Sequence, residues 1–468
     1  MGTLTALMNL SSQALQADQT ALDVTSNNVA NQNTVGYTRE SVIFQTSDAV
    51  TLGGVVAGGV STGATPVSQR DRVLEQRVQQ QTQAQAQSGA IETALQQVQS
   101  VFGLSSTSTS ASSTTLGTAT DGFFSALSLL ASNPADTATR QGVLSAATTM
   151  ASAFNSTSSQ MTQIATGLDQ QVTSDVGQVN TLTKSIANLN GQIATVSGNR
   201  DAGVLENQRQ AAIAQLSQYI GLDQVSTEGN GISLTTTNGT LLVGGSSSYS
   251  LSVTQIGGTT HLLAGPSAQD ITSSVTGGQL GGTLYARTQL LPEFNTALDT
   301  LANGIATQIN VQSALGVDEY GSNGQPLFTI PSGVAGTSGI ISVAINDPLK
   351  IATAATGQGS TGNTNAQLLA ILGTANIVGG TTASGYYSSL LGAIGSATAG
   401  ATTDNTAQQA SLTQLTTQRD ALSGVSLDQE AANLTQYQRS YQAAAKVFSV
   451  VDSIMASALN LGVTTSVA

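Results

Sequence analysis

Side chains that could catalyse a reaction or bind a metal are few and scattered along this 468-residue chain. There is no cysteine, and the one histidine, His261, stands in a predicted strand beside Leu262 and Leu263. A zinc site or a Ser-His-Asp triad needs partner residues that this histidine lacks at any recognisable spacing. We therefore predict that His261 is an ordinary surface residue of a strand, and we expect no catalytic site, no metal site and no enzyme.

Two other patterns have equally ordinary explanations. Asp318 and Glu319 precede a turn that contains glycine, but the alternating ligands and the closing glutamate of a calcium loop are missing. We predict a solvated turn there. The glycines at 277, 278, 281 and 282 do not form a nucleotide-binding motif, and no P-loop occurs, so we expect no cofactor.

The composition argues against several classes of partner. Charged residues make up 8% of the chain, the formal net charge is -13, and the 13 Lys and Arg are dispersed. We therefore expect no nucleic acid and no membrane surface as a partner. The N-terminus lacks the basic and apolar regions of a secretory signal, and no stretch is apolar enough to cross a bilayer. We expect a soluble protein whose export, if it occurs, uses another route.

Two long amphipathic helices are predicted at opposite ends of the chain, over 4–30 and 427–459, from apolar residues at steps of three and four. Alone, each helix would expose its apolar row to water. We expect the two rows to pair as a coiled coil that neighbouring copies complete. An ordinary core helix is the alternative for the N-terminal row. The residues expected in this self-assembly site are Leu7, Leu10, Leu15, Leu22, Leu434, Tyr437, Tyr441, Phe448, Val451 and Met455.

Between the two ends, the period of the apolar pattern changes twice. A long row from Val143 to Val196 predicts one or two helices in a rod, and Asn238-Gly239 and Gly257-Gly258 mark two hairpins. Separate helices are predicted over 386–394 and 406–422. The fold class is mainly α with an inserted β domain. The expected domains are 1–35 with 424–468 for the terminal coiled coil, 36–221, 283–316 and 362–423 for the long helices, and 222–282 with 317–361 for the β domain.

The segment after the first helix is unusually rich in residues that favour turns. Asn and Gly tolerate a left-handed backbone, and Asn side chains bond their own main chain. We therefore predict that the helix ends here in a sharp turn. The residues of this motif are Asn27, Asn28, Asn31, Gly36 and Tyr37.

Both chain ends resemble those of the bacterial flagellar rod, hook and hook-associated proteins. At the N-terminus the resemblance rests on 25–31 (TSNNVAN) and 35–39 (VGYTR), and at the C-terminus on 423–446. These ends are shared by the whole family of axial proteins. Three internal stretches, 205–221, 277–284 and 362–369, are similar to the hook-associated members, so that the resemblance covers nearly the whole chain.

The resemblance implies a structural, non-enzymatic adaptor that joins hook to filament. The paired terminal helices would line a tube, the long helices would form the next layer, and the β domain would lie outermost. The implied partners are copies of the chain, hook subunits, a second junction protein, the filament, and an export chaperone on the C-terminal helix.

The resemblance also implies secretion by the flagellar type III apparatus to the extracellular hook tip. One alternative is another axial protein, such as a hook, rod or flagellin-like subunit. An alternative of a different class is a secreted enzyme or adhesin with helical ends.

Overall fold

The computed structural model describes residues 2–34, 36–46, 50–52, 55–57, 61–104, 115–196, 203–226, 231–265, 267–359 and 361–464. Helices dominate this part of the chain, as predicted. They are α1 (Gly2–Ala30), α2 (Arg72–Val101), α3 (Leu116–Ser132), α4 (Thr137–Thr195), α5 (Val204–Tyr219), α6 (Gly278–Tyr285), α7 (Leu291–Ala314), α8 (Thr337–Ile340), α9 (Thr364–Ile371), α10 (Ala383–Ser423) and α11 (Leu427–Thr464). A π-helical turn, Ala286–Leu290, joins α6 to α7.

The strands are short and mostly paired as hairpins. They are β1 (Glu40–Thr46), β2 (Val50–Leu52), β3 (Val55–Ala57), β4 (Ser61–Ser68), β5 (Leu222–Ser226), β6 (Ile232–Thr236), β7 (Leu241–Gly244), β8 (Ser247–Ser248), β9 (Leu251–Ile256), β10 (Thr259–Ala264), β11 (Gln269–Asp270), β12 (Gly316–Val317), β13 (Phe328–Thr329), β14 (Ser342–Val343) and β15 (Ala354–Ala355). One antiparallel sheet has the order β5-β6-β7-β8, a second has the order β11-β10-β9, and β1 pairs with β4.

Local signals in the sequence explain where several elements begin and turn. The first helical N–H groups of α2, α3, α4 and α10 are each accepted by a capping side chain. These side chains belong to Asp71, Thr115, Asp136 and Thr382. The two predicted hairpins are present, with Gly239 at φ +84° and Gly258 at φ +79° in their turns. Only glycine adopts such angles without strain.

Two of the observed helices are longer than the apolar pattern required. The row from Val143 to Val196 forms one helix, α4, of 59 residues, which is about 90 Å long at 1.5 Å per residue. The two helices predicted over 386–394 and 406–422 are a single helix, α10, of 41 residues. Tertiary packing of its first part keeps the weakly periodic stretch between them helical.

Buried apolar side chains form two cores along α4. The helical core lies where α2, α3, α7, α9 and α10 meet the first part of α4; it includes Leu95, Phe123, Met150, Phe154, Leu298, Ile309, Leu369 and Ile394. The sheet core lies between the later part of α4, α5, α6 and the strands β5 to β10; it includes Val172, Ile186, Ile213, Leu234, Leu262 and Leu280.

The segment from 317 to 361, grouped above with the β domain, packs on the helical core and not on the sheet core. Its strands are two residues long, too short to present a sheet face, and its apolar side chains Phe328 and Ile351 join the helical core. Arg140 of α4 is fully buried beneath it and donates to the carbonyl of Ile351 at 2.8 Å and to Glu319 Oε2 at 2.9 Å. The segment is thereby tied to the long helices.

Candidate assembly site at the joined chain ends

The helices α1 and α11, from opposite ends of the sequence, pack side by side. Ala17, Ala21 and Val24 of α1 and Val451 of α11 are buried between the elements that meet here. Small alanine side chains allow the two backbones to approach closely. The first and last stretches of the chain therefore lie alongside each other, as the two apolar rows predict.

The structure places the ten predicted self-assembly residues at different depths in this pair. Val451 is buried, and Leu7 and Tyr441 are both 38% exposed at the margin. The remaining side chains are partly buried, and they are Leu10, Leu15, Leu22, Leu434, Tyr437, Phe448 and Met455. The role of these ten residues in assembly stays a prediction.

A buried cluster of polar groups, the polar junction, closes one end of the helix pair; it consists of Asn28, Tyr37, Arg39, Glu40 and Glu430. The amide of Asn28 is at its centre. Asn28 Nδ2 donates to the carbonyl of Glu40 at 2.8 Å and to Glu430 Oε2 at 3.2 Å. Asn28 Oδ1 accepts from the backbone N–H of Glu40 and from the Tyr37 hydroxyl, each at 3.0 Å. All four hydrogen-bonding positions of the buried amide are therefore used.

An ion pair in the polar junction joins residues that are 391 positions apart. Arg39 Nε lies 2.7 Å from Glu430 Oε1, and the side chains are 19% and 1% exposed. Removing one partner of a buried ion pair leaves an uncompensated charge, which is strongly destabilising. Burial, together with the charges of Glu40 and Glu430, raises the pKa of Tyr37 to about 12. The Tyr37 phenol therefore stays a hydrogen-bond donor at neutral pH.

The polar junction also attaches the helix pair to the long helices. The backbone N–H of Arg39 donates to the carbonyl of Ser423 at 2.9 Å, and Ser423 Oγ donates to the carbonyl of Gln69 at 3.1 Å. Next along the chain, Arg70 Nη2 donates to Asn207 Oδ1 of α5 at 2.5 Å. These bonds join the end of α10, the end of the β1–β4 hairpin and the start of α5 at one place.

The structure divides the predicted motif between two tasks. Asn28 and Tyr37 belong to the polar junction, whereas the carbonyl of Asn27 accepts the N–H and the Nδ2 of Asn31 in the turn that ends α1. Gly36 has φ +81°, in the left-handed region. Sequence reasoning missed Glu430 as a partner of this motif. The low charge content of the sequence was the available signal, because a rare charged residue beside an apolar row needs a counter-charge.

An exposed apolar row on α11, the outer row, is left uncovered in the single chain; it consists of Val447, Val450 and Ile454. These side chains are 48%, 53% and 47% exposed. At 100° per residue they lie about 100° to 160° around α11 from Phe448, on a face that is covered only in part. Exposed aliphatic side chains at helical spacing mark a surface that another helix can bury.

The single histidine is paired within the second sheet. His261 has a partner that its sequence spacing did not reveal, since its Nδ1 lies 2.7 Å from Asp270 Oδ2 across the β10–β11 pair. Hydrogen bonds from Thr272 and His261 lower the pKa of Asp270 to about 2. Within the described ranges, no three His, Cys, Asp or Glu side chains are placed to hold a metal ion.

The turn after Asp318 and Glu319 is present, and its residues from Tyr320 to Asn323 are exposed, as predicted for a solvated turn. Asp318 is buried, and its Oδ1 accepts the N–H groups of Tyr320 and Ser322 at 3.0 and 2.8 Å. Glu319 pairs with Arg140, as described above. The Asp318 carboxylate therefore stabilises the turn itself, and the Glu319 carboxylate helps to hold the segment on α4.

Comparisons with known proteins first define a class. Residues 8–38 match the family model described as flagella basal body rod protein, and residues 418–461 match the C-terminal model of the flagellar basal body rod FlgEFG proteins. The two matches cover nearly all of the helix pair, and the second includes Glu430 of the polar junction and Ser423 at the end of α10. The paired ends thus belong to an axial protein of the flagellum.

The middle of the chain then identifies the family. Residues 95–328, half of the chain, match the model of the flagellar hook-associated protein FlgK helical domain. The chain belongs to the FlgK family of flagellar hook-associated proteins. It is similar to flagellar hook-associated protein 1 of Salmonella typhimurium, with 27% identity over 98% of this chain and 100% of that protein. The protein of the same name from Bacillus subtilis is 28% identical over 96% of each chain.

A solved structure has the same fold. The flagellar hook junction protein FlgK from Burkholderia pseudomallei aligns with a TM-score of 0.65 and 21% identity, over 74% of this chain and all of that chain. The predicted family and the predicted fold class, mainly α with an inserted sheet, are confirmed. This protein is a structural component of the bacterial flagellum, and its family is not one of enzymes. In the part of the chain that the structure describes, no helix is suited to crossing a membrane.

Proposed function

We propose that this protein is the adaptor that joins hook to filament, and that it does so by assembling through its paired chain ends. The observation that carries the proposal is the helix pair itself: it is fixed to the body by the polar junction, yet it leaves the outer row uncovered. A monomer gains nothing from that row. The three side chains are about half-exposed, so burying the exposed half of each in a neighbour would contribute roughly 1 kcal/mol per side chain.

The contacts between copies would be heterologous, with the outer row of one copy packed on a different surface of the next. Repeated head-to-tail contacts of this kind produce a helical array. The helix pair would line the tube, the long helices would form the next layer, and the domain of β5 to β11 would lie outermost. The partners at the two faces of the array would be hook subunits on one side and a second junction protein and the filament on the other.

Transit of the chain would require cover for α11. We assign secretion to the flagellar type III apparatus, with an export chaperone on the C-terminal helix, and location at the extracellular hook tip. The partly buried row around Phe448 is the apolar surface that such a chaperone would shield. No enzymatic step belongs to this function.

The test is a double variant, Val450→Asp with Ile454→Asp, expressed in a strain that lacks the wild-type chain. Each Asp would place an unpaired charge in the proposed interface, so we expect export and folding without assembly. Electron microscopy should show hooks intact and filaments missing. Gln442→Asp is the matched control, since it adds a charge at an exposed polar position of the same helix.

The presence of hooks in these strains distinguishes an adaptor from a rod or hook subunit. Loss of the hooks together with the filaments, in the deletion strain itself, would indicate a rod or hook subunit instead. Normal filaments in the double variant would remove the outer row from the proposed interface.

A further inference from the structure

The helix α10 changes its surroundings halfway along its length. From Thr402 to Leu422, all within the described part of the chain, no residue is buried. The first half, in contrast, is anchored in the helical core. Its buried residues are Ala383, Leu390, Ile394, Thr398 and Ala401. One continuous helix therefore has a fixed half and a half with no buried anchor.

Polar side chains hold the second half of α10 against α2. Asn405 lies between two positions of α2, because its Nδ2 donates to Glu92 Oε2 at 2.6 Å and its Oδ1 accepts from Gln85 Nε2 at 3.2 Å. Gln81 Nε2 donates to Gln408 Oε1 at 2.5 Å. Partly exposed hydrogen bonds of this kind contribute about 0.5–1.5 kcal/mol each. Water can replace them, so they hold the two helices together without fixing one geometry.

A wide cleft lies beside the second half of α10. Its volume is about 890 Å³, and it is lined by α2 over residues 78–97, by Leu412, Thr416 and Arg419 of α10, and by Gln171 of α4 and Gln218 of α5. The side of α10 that carries Leu412 and Thr416 therefore borders open space.

A glycine stands at the boundary between the two halves. A Cβ added at Gly400 would meet nothing within 4 Å, so packing does not require glycine there. Within a helix, glycine costs about 1 kcal/mol relative to alanine, because without a Cβ it restrains the backbone least. Gly400 directly precedes Ala401, the last residue of α10 that is buried in the helical core.

We infer that α10 is a hinged strut: the half from 402 to 422 moves relative to α2 by bending at Gly400, while its end at Ser423 stays bonded to Arg39 and Gln69. The carbonyl of Ser423 accepts the N–H of Arg39, so movement of the strut reaches the polar junction directly. The half from 402 to 422 is about 30 Å long. The swing is a property of the single chain and requires no assembled partner.

Spin-label distances in the monomer test the swing. The chain has no cysteine, so cysteines introduced in pairs carry the only labels. Gln80 with Gln414 reports on the second half of α10, and Ser100 with Ser396 is the matched control on the first half; all four side chains are exposed. We expect a distance distribution several Å broader, or two-peaked, for the first pair. Equal narrow distributions for both pairs would overturn the inference.

The hinge position has its own test in the Gln80–Gln414 labelled chain. Gly400→Ala should stiffen α10, because alanine favours the helix more than glycine does and fits here without a clash. The distribution of distances between the two spin labels should therefore become narrower. Gly392→Ala, at an exposed glycine in the anchored half that also has open space around its Cβ, should leave the distribution unchanged. An unchanged width in Gly400→Ala, or equal narrowing in both variants, would exclude a hinge at Gly400.

Discussion

The helical core and the assembly site are built from the same low-charge composition, but they cover their apolar side chains to different degrees. In the helical core, Phe123 and Phe154 are completely buried. In α11, Val451 is the one apolar side chain that is buried among those described, while the outer row faces solvent. The difference shows that the body completes its own core. The terminal helix pair is complete only when another surface covers it.

The largest expected effect is a difference in stability between two Phe→Ala variants, one in the helical core and one in α11. Phe154→Ala should lower the free energy of unfolding by about 3–5 kcal/mol, because it leaves a cavity in the helical core. Phe448→Ala, the matched change in the partly buried row of α11, should cost about 1 kcal/mol in the monomer. Denaturant unfolding followed by circular dichroism measures both. Equal losses would mean that the helix pair is as completely packed as the body.

The next effect tests whether charge, and not apolar contact, fixes the chain ends. Glu430→Gln keeps the shape of the side chain but removes the charge that pairs with Arg39. We expect the attachment of α11 to weaken by about 2–4 kcal/mol. Hydrogen exchange should therefore accelerate in α1 and α11, with little change in the helical core.

A neighbouring carboxylate provides the control for Glu430. Asp428→Asn changes the same type of charge two residues earlier, at an exposed position of α11, and should leave exchange nearly unchanged. Equal acceleration in both variants would mean that the effect belongs to the net charge of the helix and not to the polar junction.

The smallest expected effect contrasts the paired carboxylate of Glu430 with an incompletely paired one in the body. Asp175 of α4 is buried; its Oδ1 accepts from Gln171 Nε2 at 2.7 Å, and its Oδ2 has no partner among the described residues. Burial raises the pKa of Asp175 to about 6, against an ordinary value of 3.8. The folded protein therefore binds this proton more tightly than the unfolded chain does, and the free energy of unfolding falls as the pH rises from about 4 to about 6.

Asp175→Asn removes that dependence. We expect the variant to be more stable than wild type by about 1–3 kcal/mol at pH 7 and equally stable at pH 4. Denaturant titrations at several pH values measure the difference, and Asp121→Asn, at an exposed position of α3, is the control. A constant difference at all pH values would show that Asp175 keeps its charge throughout this range.

Much of the architecture could be predicted because it depends on local patterns. The apolar period fixes which stretches are helical and which side faces a partner, so α1, α4 and α11 follow from rows of three and four. Turn chemistry fixed the hairpins at Gly239 and Gly258. Since period and turn type are properties of neighbouring residues, they can be read without knowledge of the fold.

Contacts between distant residues were decided by the tertiary structure alone. No local pattern pairs Glu430 with Arg39 or His261 with Asp270, because those pairs form only when separate elements are brought together. Likewise, packing on the long helices, and not strand propensity, decided where the segment from 317 to 361 lies. The sequence by itself determined the helices, their apolar faces and the family of this protein. The folded chain decided which charges are buried, which rows remain open, and where α10 loses its anchor, since each depends on the sum of contacts from every element nearby.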